Sequence, residues 1–308
     1  MKRVSWFLFC LLLPLQALAQ NPEQWRIQVR VPAGSYKATA YVFRFAAARY
    51  NASIFAIGRY KVPDAGLPVS PTFTDVVRRN PRALVINGGF VDPLAPAQSG
   101  DSVPLGLLLV HGFAMHPFSF ELRPDKKFLV ASTILCEAQN GSLSLIDIAR
   151  YTAVLPGARA GKTPPNPARV ISDCQSALQT GPRILDTGSN TITSQDLSRE
   201  PAARTVLALD RDKRLCVVMF TSPIHLRVVA AFLRGAPAPA RNVLQAHDAS
   251  VSVADLNPAT QPKTVSGLGM YDAVNLNGAV YSVAVAPGAP KIGDPVRAQP
   301  SAVVIAAQ

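Results

Sequence analysis

The sequence predicts an α+β fold: a single domain with a large mixed or mostly antiparallel sheet and a few flanking helices. Three observations predict it. Short β-type runs recur along nearly all of the 308 residues, and helical patterns are few. In addition, 27 prolines and 19 glycines break the chain at intervals too short for long helices.

The chain opens with Lys2 and Arg3, an apolar run from Trp6 to Leu15, and small residues at Ala17 and Ala19. This order predicts a signal peptide over residues 1–19 with cleavage after Ala19, and a periplasmic or secreted mature chain. The run falls short of the roughly 20 residues of a membrane-spanning helix, and no later segment reaches that length. Arg26 to Val31 alternates, and Ala38 to Phe45 and Ala52 to Ile57 are rich in β-branched and aromatic residues, so all three predict strands. Phe73 to Arg79 predicts a short helix. Residues 20–82 thus form N-terminal strands and a helix that pack on a core at 83–286.

Within that core, strands are expected at Ala83–Ile86, Leu105–Val110, Phe118–Leu122, Phe128–Val130, Val206–Leu209 and Leu215–Phe220. Leu143–Arg150 reads as a helix. Ile224–Leu233 is the clearest helix, with Ile224, Val228, Ala231 and Phe232 on one face and Gly235 as its stop. Gly157–Pro167 reads as a loop. Asp272–Val285 reads as a hairpin turning at Asn277-Gly278. Residues 287–308 form a Pro-rich tail whose last apolar run, Ala302–Ala307, can add an edge strand.

The formal charge is +12 and is lowered by two with loss of Lys2 and Arg3. The cations are dispersed, with no long basic block and no aromatic-basic interleaving, which argues against nucleic-acid binding. They suit either a soluble basic surface or contact with an anionic glycan. Of the mature cysteines, Cys216 lies in the apolar run 215–220, which leaves Cys136 and Cys174 to pair in an oxidising compartment. No CxxC or HExxH spacing marks a zinc site, and no cofactor is implied.

Four segments can carry chemistry. In the first, the strand 83–86 runs into Asn87-Gly88-Gly89-Phe90-Val91-Asp92. Glycines there permit unusual backbone angles and close approach of a ligand, with Asn87 and Asp92 at a strand end; a simple tight turn capped by Asn87 is the plain alternative. In the second, Gln179-Thr180-Gly181-Pro182-Arg183 presents Thr180, Gly181 and an arginine whose planar fork suits a phosphate, unless Arg183 merely pairs with Asp186. The third is Arg204-Thr205, opening the strand 206–209. The fourth is His247-Asp248-Ala249-Ser250-Val251-Ser252. It contains the residue types of a Ser–His–Asp triad, but no GxSxG elbow accompanies it and adjacent strand residues point apart. The remaining histidines, His111, His116 and His225, read as structural or surface residues.

In order and spacing these segments resemble the phosphodiester glycosidase family. The resemblance runs from Leu84 to Leu256 and rests on Asn87–Phe90, Pro104-Leu105-Gly106-Leu107, Gly181–Leu185, Arg204-Thr205 and Asp248–Ser252. The last departs from the family's Leu-Asp-Gly pattern: His247 replaces the Leu and Ala249 the first Gly. The resemblance implies an exported hydrolase cleaving a sugar-1-phosphodiester in envelope or extracellular glycans. It implies Asp248 or Asp92 as base or charge stabiliser and Arg183 or Arg204 as phosphate holder. Asn87, Gly88, Gly89, Thr180, Gly181, Ser250 and Ser252 are then substrate-binding. A divalent cation at Asp248 and loop carbonyls is compatible with this but not required. A non-catalytic carbohydrate-binding or exopolysaccharide-associated relative of the same fold is the alternative.

Overall fold

The computed structural model describes residues 23–31, 36–45, 50–58, 71–91, 103–118, 132–148, 171–192, 201–237, 249–252, 266–278, 282–294 and 299–307. The expected leader, residues 119–122 of the strand expected at 118–122, the strand at 128–130, the loop 157–167, and Asp92, His247 and Asp248 lie outside them.

The strands are β1 (Glu23–Val31), β2 (Tyr36–Arg44), β3 (Tyr50–Ala56), β4 (Ala83–Asn87), β5 (Leu108–Val110), β6 (Phe113–His116), β7 (Thr133–Glu137), β8 (Leu143–Asp147), β9 (Ser176–Thr180), β10 (Arg183–Asp186), β11 (Ser189–Asn190), β12 (Ala202–Leu209), β13 (Leu215–Ile224), β14 (Ala236–Pro237), β15 (Ala249–Ser252), β16 (Ser266–Gly267), β17 (Asp272–Gly278), β18 (Ala284–Val285) and β19 (Ser301–Ala307). The described helices are α1 (Phe73–Arg79) and α2 (Leu226–Arg234). An eight-stranded sheet runs β11-β10-β17-β12-β13-β2-β1-β15, a four-stranded sheet β18-β4-β19-β3, and a five-stranded sheet β6-β5-β9-β7-β8, with β14 and β16 as a separate pair. Only β1–β15 and β14–β16 pair in parallel among the described strands. The fold is α+β and mostly antiparallel, as the sequence predicts.

Alternation builds the layers. Along β12, Val206 and Ala208 join Val218, Phe220 and the α2 residues Val228, Val229, Phe232 and Leu233 in one core. Leu207 and Leu209 face the other way, onto Leu84 and Ile86 of β4, Val303 and Ile305 of β19, and Leu178 of β9. The eight-stranded sheet is therefore covered on both faces, and the run Leu215–Phe220 of its inner strand β13 is apolar and buried at every position rather than every second one. On the far side, Phe73 and Val76 of α1 pack on Val85, Ala302 and Val304. Thr72 and Asp75 close α1 with a reciprocal capping box. Cys136 and Cys174 form the expected disulfide beside Ile134 and Ala177, and Cys216 is buried with its thiol pushed up to about 12 by desolvation.

Four expectations are corrected. Leu143–Asp147 is a strand, not a helix: the 138–142 turn, with Gly141 at φ +74°, folds it back onto β7, and the pairing runs from Glu137↔Leu143 to Thr133↔Asp147. Ladder bonds to a neighbour decide a segment whose own periodicity is ambiguous. The expected 272–285 hairpin does not form. β17 has both edges occupied, by β10 and β12, while β18 pairs with β4 in another sheet. Finally, 301–307 is an inner strand between β4 and β3, not an edge. The expected helix at Ile224 starts at Leu226, because Ile224 ends β13 opposite Ala202.

Glu137, 4% exposed, joins two of these sheets by accepting from the Ile54 N–H at 2.9 Å. Desolvation raises its pKa, against the opposing pull of the Ile54 N–H, the Ser176 hydroxyl and His111. A carboxyl raised in the fold binds its proton more tightly there than in the unfolded chain. Its contribution to stability is therefore present below about pH 4 and lost as pH rises through the folded value. Glu137→Gln keeps the acceptor and removes the ionisation. Urea unfolding across this range is expected to show the variant gaining stability over the parent as pH rises; a constant difference would contradict the assignment.

Candidate functional site

Four stretches far apart in sequence meet at the end of β4. Asn87 is 0% exposed. Its Oδ1 accepts from Thr205 Oγ1 at 2.7 Å and from the Val283 N–H at 3.1 Å, and its Nδ2 donates to Gly88 O at 3.3 Å. Gly88 N–H donates to Ser301 O at 3.0 Å and Gly89 N–H to Ser301 Oγ at 3.2 Å. Asn277 Nδ2 donates to Gly89 O at 3.1 Å. Neither glycine has a positive φ. They are needed for space: a Cβ on Gly88 would run into Ser301 Oγ, and one on Gly89 would lie 2.9 Å from Gln179 O. The close approach expected of a ligand is made here by the protein's own backbone and side chains.

The neighbouring segments dock onto this junction. Leu105 N–H donates to Phe90 O at 2.8 Å, and Val91 bridges Pro104. Buried Gln179 accepts the Leu107 N–H at 2.9 Å on Oε1, and its own N–H donates to Leu107 O. Gly106, at φ +110°, has no room for a side chain against that carboxamide, so the turn demands glycine both sterically and conformationally. Thr180 Oγ1 donates to Asn275 O and Leu276 O at 3.0 and 2.7 Å, and Asn275 Nδ2 donates to Gly181 O at 3.1 Å. A register shift between Thr205↔Asn277 and Val206↔Asn275 leaves Leu276 as an extra residue. Such a bulge lets Leu276 reach the apolar core and Asn277 reach Gly89 from one face.

The structure thus brings Asn87, Gly88, Gly89, Thr180 and Gly181 together. Arg204 is buried at the same end of β12, next to Thr205. Alternation, however, sends Thr205 to the face of Leu207 and Leu209, and Arg204 to the α2 face of Val206 and Ala208. Arg183 stands apart. Its guanidinium lies 3.0 Å from Asp272 Oδ1 and 3.2 Å from Asp186 Oδ1, and its Nε donates to Leu185 O. Asp272 precedes Asn277 by five strand residues, roughly 17 Å. Pairing with Asp186, left open by the sequence, is what the structure shows, with Asp272 added. Ser250 and Ser252 register with Gln28 and Arg30 of β1, and β13, β2 and β1 separate their strand from β12.

Asn275, Asn277 and Ser301 belong to the junction and were not singled out in the sequence. The signal was two asparagines, two apart, within the otherwise apolar 273–277. The expected turn at 277–278 obscured it. Chemically, the junction is nearly saturated by its own partners, so it positions Phe90–Val91 and Pro104–Leu107. Two atoms beside it, Asn275 Oδ1 and Ser282 Oγ, are buried with no hydrogen-bond partner among the described residues. No three His, Cys, Asp or Glu among the described residues are grouped to hold a metal ion. None of the described helices is long and apolar enough to cross a membrane.

No family model matches the sequence, and no curated protein matches it. A solved structure does share the fold. The zebrafish N-acetylglucosamine-1-phosphodiester alpha-N-acetylglucosaminidase catalytic domain, auto-inhibited by its pro-peptide, aligns with a TM-score of 0.51 at 11% identity, over 92% of this chain and 82% of that one. A hypothetical protein from Synechocystis aligns with a TM-score of 0.49 at 12% identity, over 92% of this chain and 61% of that one. The first is a likeness of fold alone.

Gly88→Ala is expected to cost about 1–3 kcal/mol of stability through overpacking against Ser301. Adding Ser301→Gly should return part of that loss in urea unfolding. A Gly88→Ala protein as stable as the parent would contradict the packing described.

Proposed function

We propose that the chain is an exported hydrolase of the phosphodiester glycosidase family, cleaving a sugar-1-phosphodiester of an envelope or extracellular glycan. The observation that carries this reading is the fold shared with a phosphodiester glycosidase catalytic domain along nearly the whole chain. The meeting of the Asn87, Pro104–Leu107 and Gly181 segments supports it, since these carry the family-like motifs. The Cys136–Cys174 disulfide supports export, because such bonds persist in oxidising compartments. The surplus of cations suits an anionic substrate.

In the proposed reaction water attacks the anomeric carbon and the carbon–oxygen bond to the phosphate breaks. The products are the free sugar and a phosphomonoester. Positive charge grows on the sugar and negative charge on the departing phosphate. Phosphate leaves readily, so the chief needs are a carboxylate to take the water proton or face the sugar cation, and a cation for the phosphate. We assign the first role to Asp248 or Asp92. Asp92 follows directly on the segment that the Asn87 junction holds. We assign the second to Arg204 or Arg183, the latter also paired with Asp186 and Asp272. Thr180, Gly181, Ser250 and Ser252 remain substrate-binding candidates.

One observation favours the alternative of a non-catalytic carbohydrate-binding relative. Ala249, where the family has a glycine, lies in β15 paired with Ile27, a regular strand position.

A panel of sugar-1-phosphodiesters with purified protein decides between them. Turnover is expected from the parent, and Asp248→Asn and Arg204→Ala should each lose about 100-fold or more with the fold intact. Glycan binding with no product would contradict hydrolysis and support the binding reading. Undiminished turnover in both variants would contradict the residue assignments.

A further inference from the structure

His116 stands on the sheet face that the Asn87 junction covers. Across the five-stranded sheet, His116 of β6 registers with Leu108 of β5, and Leu108 with Leu178 of β9. Side chains paired in this way share a face. Leu108 and Leu178 belong to the core between the sheets, and Gly89 packs on Leu178, where a Cβ would lie 3.0 Å from Leu178 Cδ1. With neighbouring strands about 4.8 Å apart, His116 lies two strands, roughly 10 Å, from the leucine that Gly89 covers.

A β-bulge puts it there. Val110 pairs with Phe113 and Leu109 with Ala114, so a regular ladder would set Met115 opposite Leu108. The register shifts at that point, Met115 becomes the extra residue, and His116 takes the place opposite Leu108. Without the shift His116 would face away from the junction. Bulges re-aim side chains in this manner beside functional sites.

The backbone also sets the state of the ring. Nδ1 lies 2.9 Å from Gly106 O and 3.2 Å from Pro117 O. Carbonyl oxygens only accept, so Nδ1 carries the proton and donates it. In the neutral ring Nε2 then holds a lone pair. Nε2 has no hydrogen-bond partner among the described residues, and the side chain is half-buried rather than enclosed. Gly106 belongs to the turn that docks on Phe90 and Gln179, so the junction that orders the turn also orders the histidine.

We propose that His116 is a catalytic residue, with Nε2 taking the proton of the attacking water. This rests on the hydrolysis proposed above and assigns one of its steps. The water oxygen bonds to the anomeric carbon. The carbon–oxygen bond to the phosphate breaks, and its electron pair leaves with the phosphate. The water proton passes to Nε2 and later to solvent. The Nδ1–H bonds strengthen as the ring becomes charged. The carboxylate, Asp248 or Asp92, is left to face the sugar cation.

His116→Asn separates holding the turn from moving a proton. Asparagine Nδ2 takes the position of Nδ1 and donates to Gly106 O, but puts no base in the place of Nε2. Against the sugar-1-phosphodiester panel this variant is expected to lose about 100-fold or more in kcat with KM little changed. His116→Ala should be as slow and recover turnover as imidazole is added. Parent-like turnover by His116→Asn would overturn the role and leave hydrolysis standing. Loss without imidazole rescue would overturn proton transfer and make His116 a positioning residue. Long-range proton–nitrogen NMR of the parent reads the ring even if both variants misfold: a neutral ring protonated on Nδ1 supports the role, and one protonated on Nε2 overturns it. No turnover by the parent itself would overturn hydrolysis, and this step with it.

Discussion

The carboxamide of Asn87 is the contact on which the arrangement of sheets most depends. It ends β4 in the four-stranded sheet, grips Thr205 in the eight-stranded sheet, and takes the Val283 N–H from the segment leading to β18. These partners are buried, so each loses water on folding and must be repaid by a protein partner. Gly88 and Gly89 extend the constraint. Because they lack side chains, Ser301 and Gln179 come close enough to bring β19 and β9 to the same point. From there the Gln179 carboxamide orders Leu107, and Asn277 reaches Gly89. A sandwich whose layers also meet through non-directional apolar contacts is thereby pinned in register at one end.

The polar groups of the molecule separate into distinct places. The Asn87 end is built of neutral amides and hydroxyls, with Arg204 issuing from the opposite face of β12. The other end of β17 is ionic, where Arg183, Asp186 and Asp272 pair beside Tyr271 and an arginine-lined cleft. Neutral groups are the ones that can be buried between apolar sheets without a large desolvation cost. At that ionic end Asp210 and Asp272 are themselves buried, and arginines meet their charge.

Much of the fold is legible in the sequence. The runs at 26–31, 38–45, 52–57, 83–86 and 215–220 are strands, and 73–79 is a helix with the bounds expected. The disulfide follows from Cys216 lying in an apolar run. What failed was everything decided by a distant partner. Leu143–Asp147 has apolar spacing that fits a helix, and only its ladder with β7 makes it a strand. Asn277-Gly278 carries turn chemistry, yet Asn277 is spent on Gly89. The same holds for the site. Asn87, Gly88 and Gly89 were visible as a strand running into glycines, but their service to Ser301, more than two hundred residues away, was not. Arg183 looked like a phosphate holder because Asp272, its second partner, is equally remote in sequence.

A double-mutant cycle between Asn87→Ala and Thr205→Val, read as unfolding free energy, tests most directly whether the Asn87 carboxamide governs the junction. Each side chain satisfies the other in a buried setting, so the account predicts a coupling of about 1–3 kcal/mol between the two substitutions. Effects that simply add, within about 0.5 kcal/mol, would contradict it.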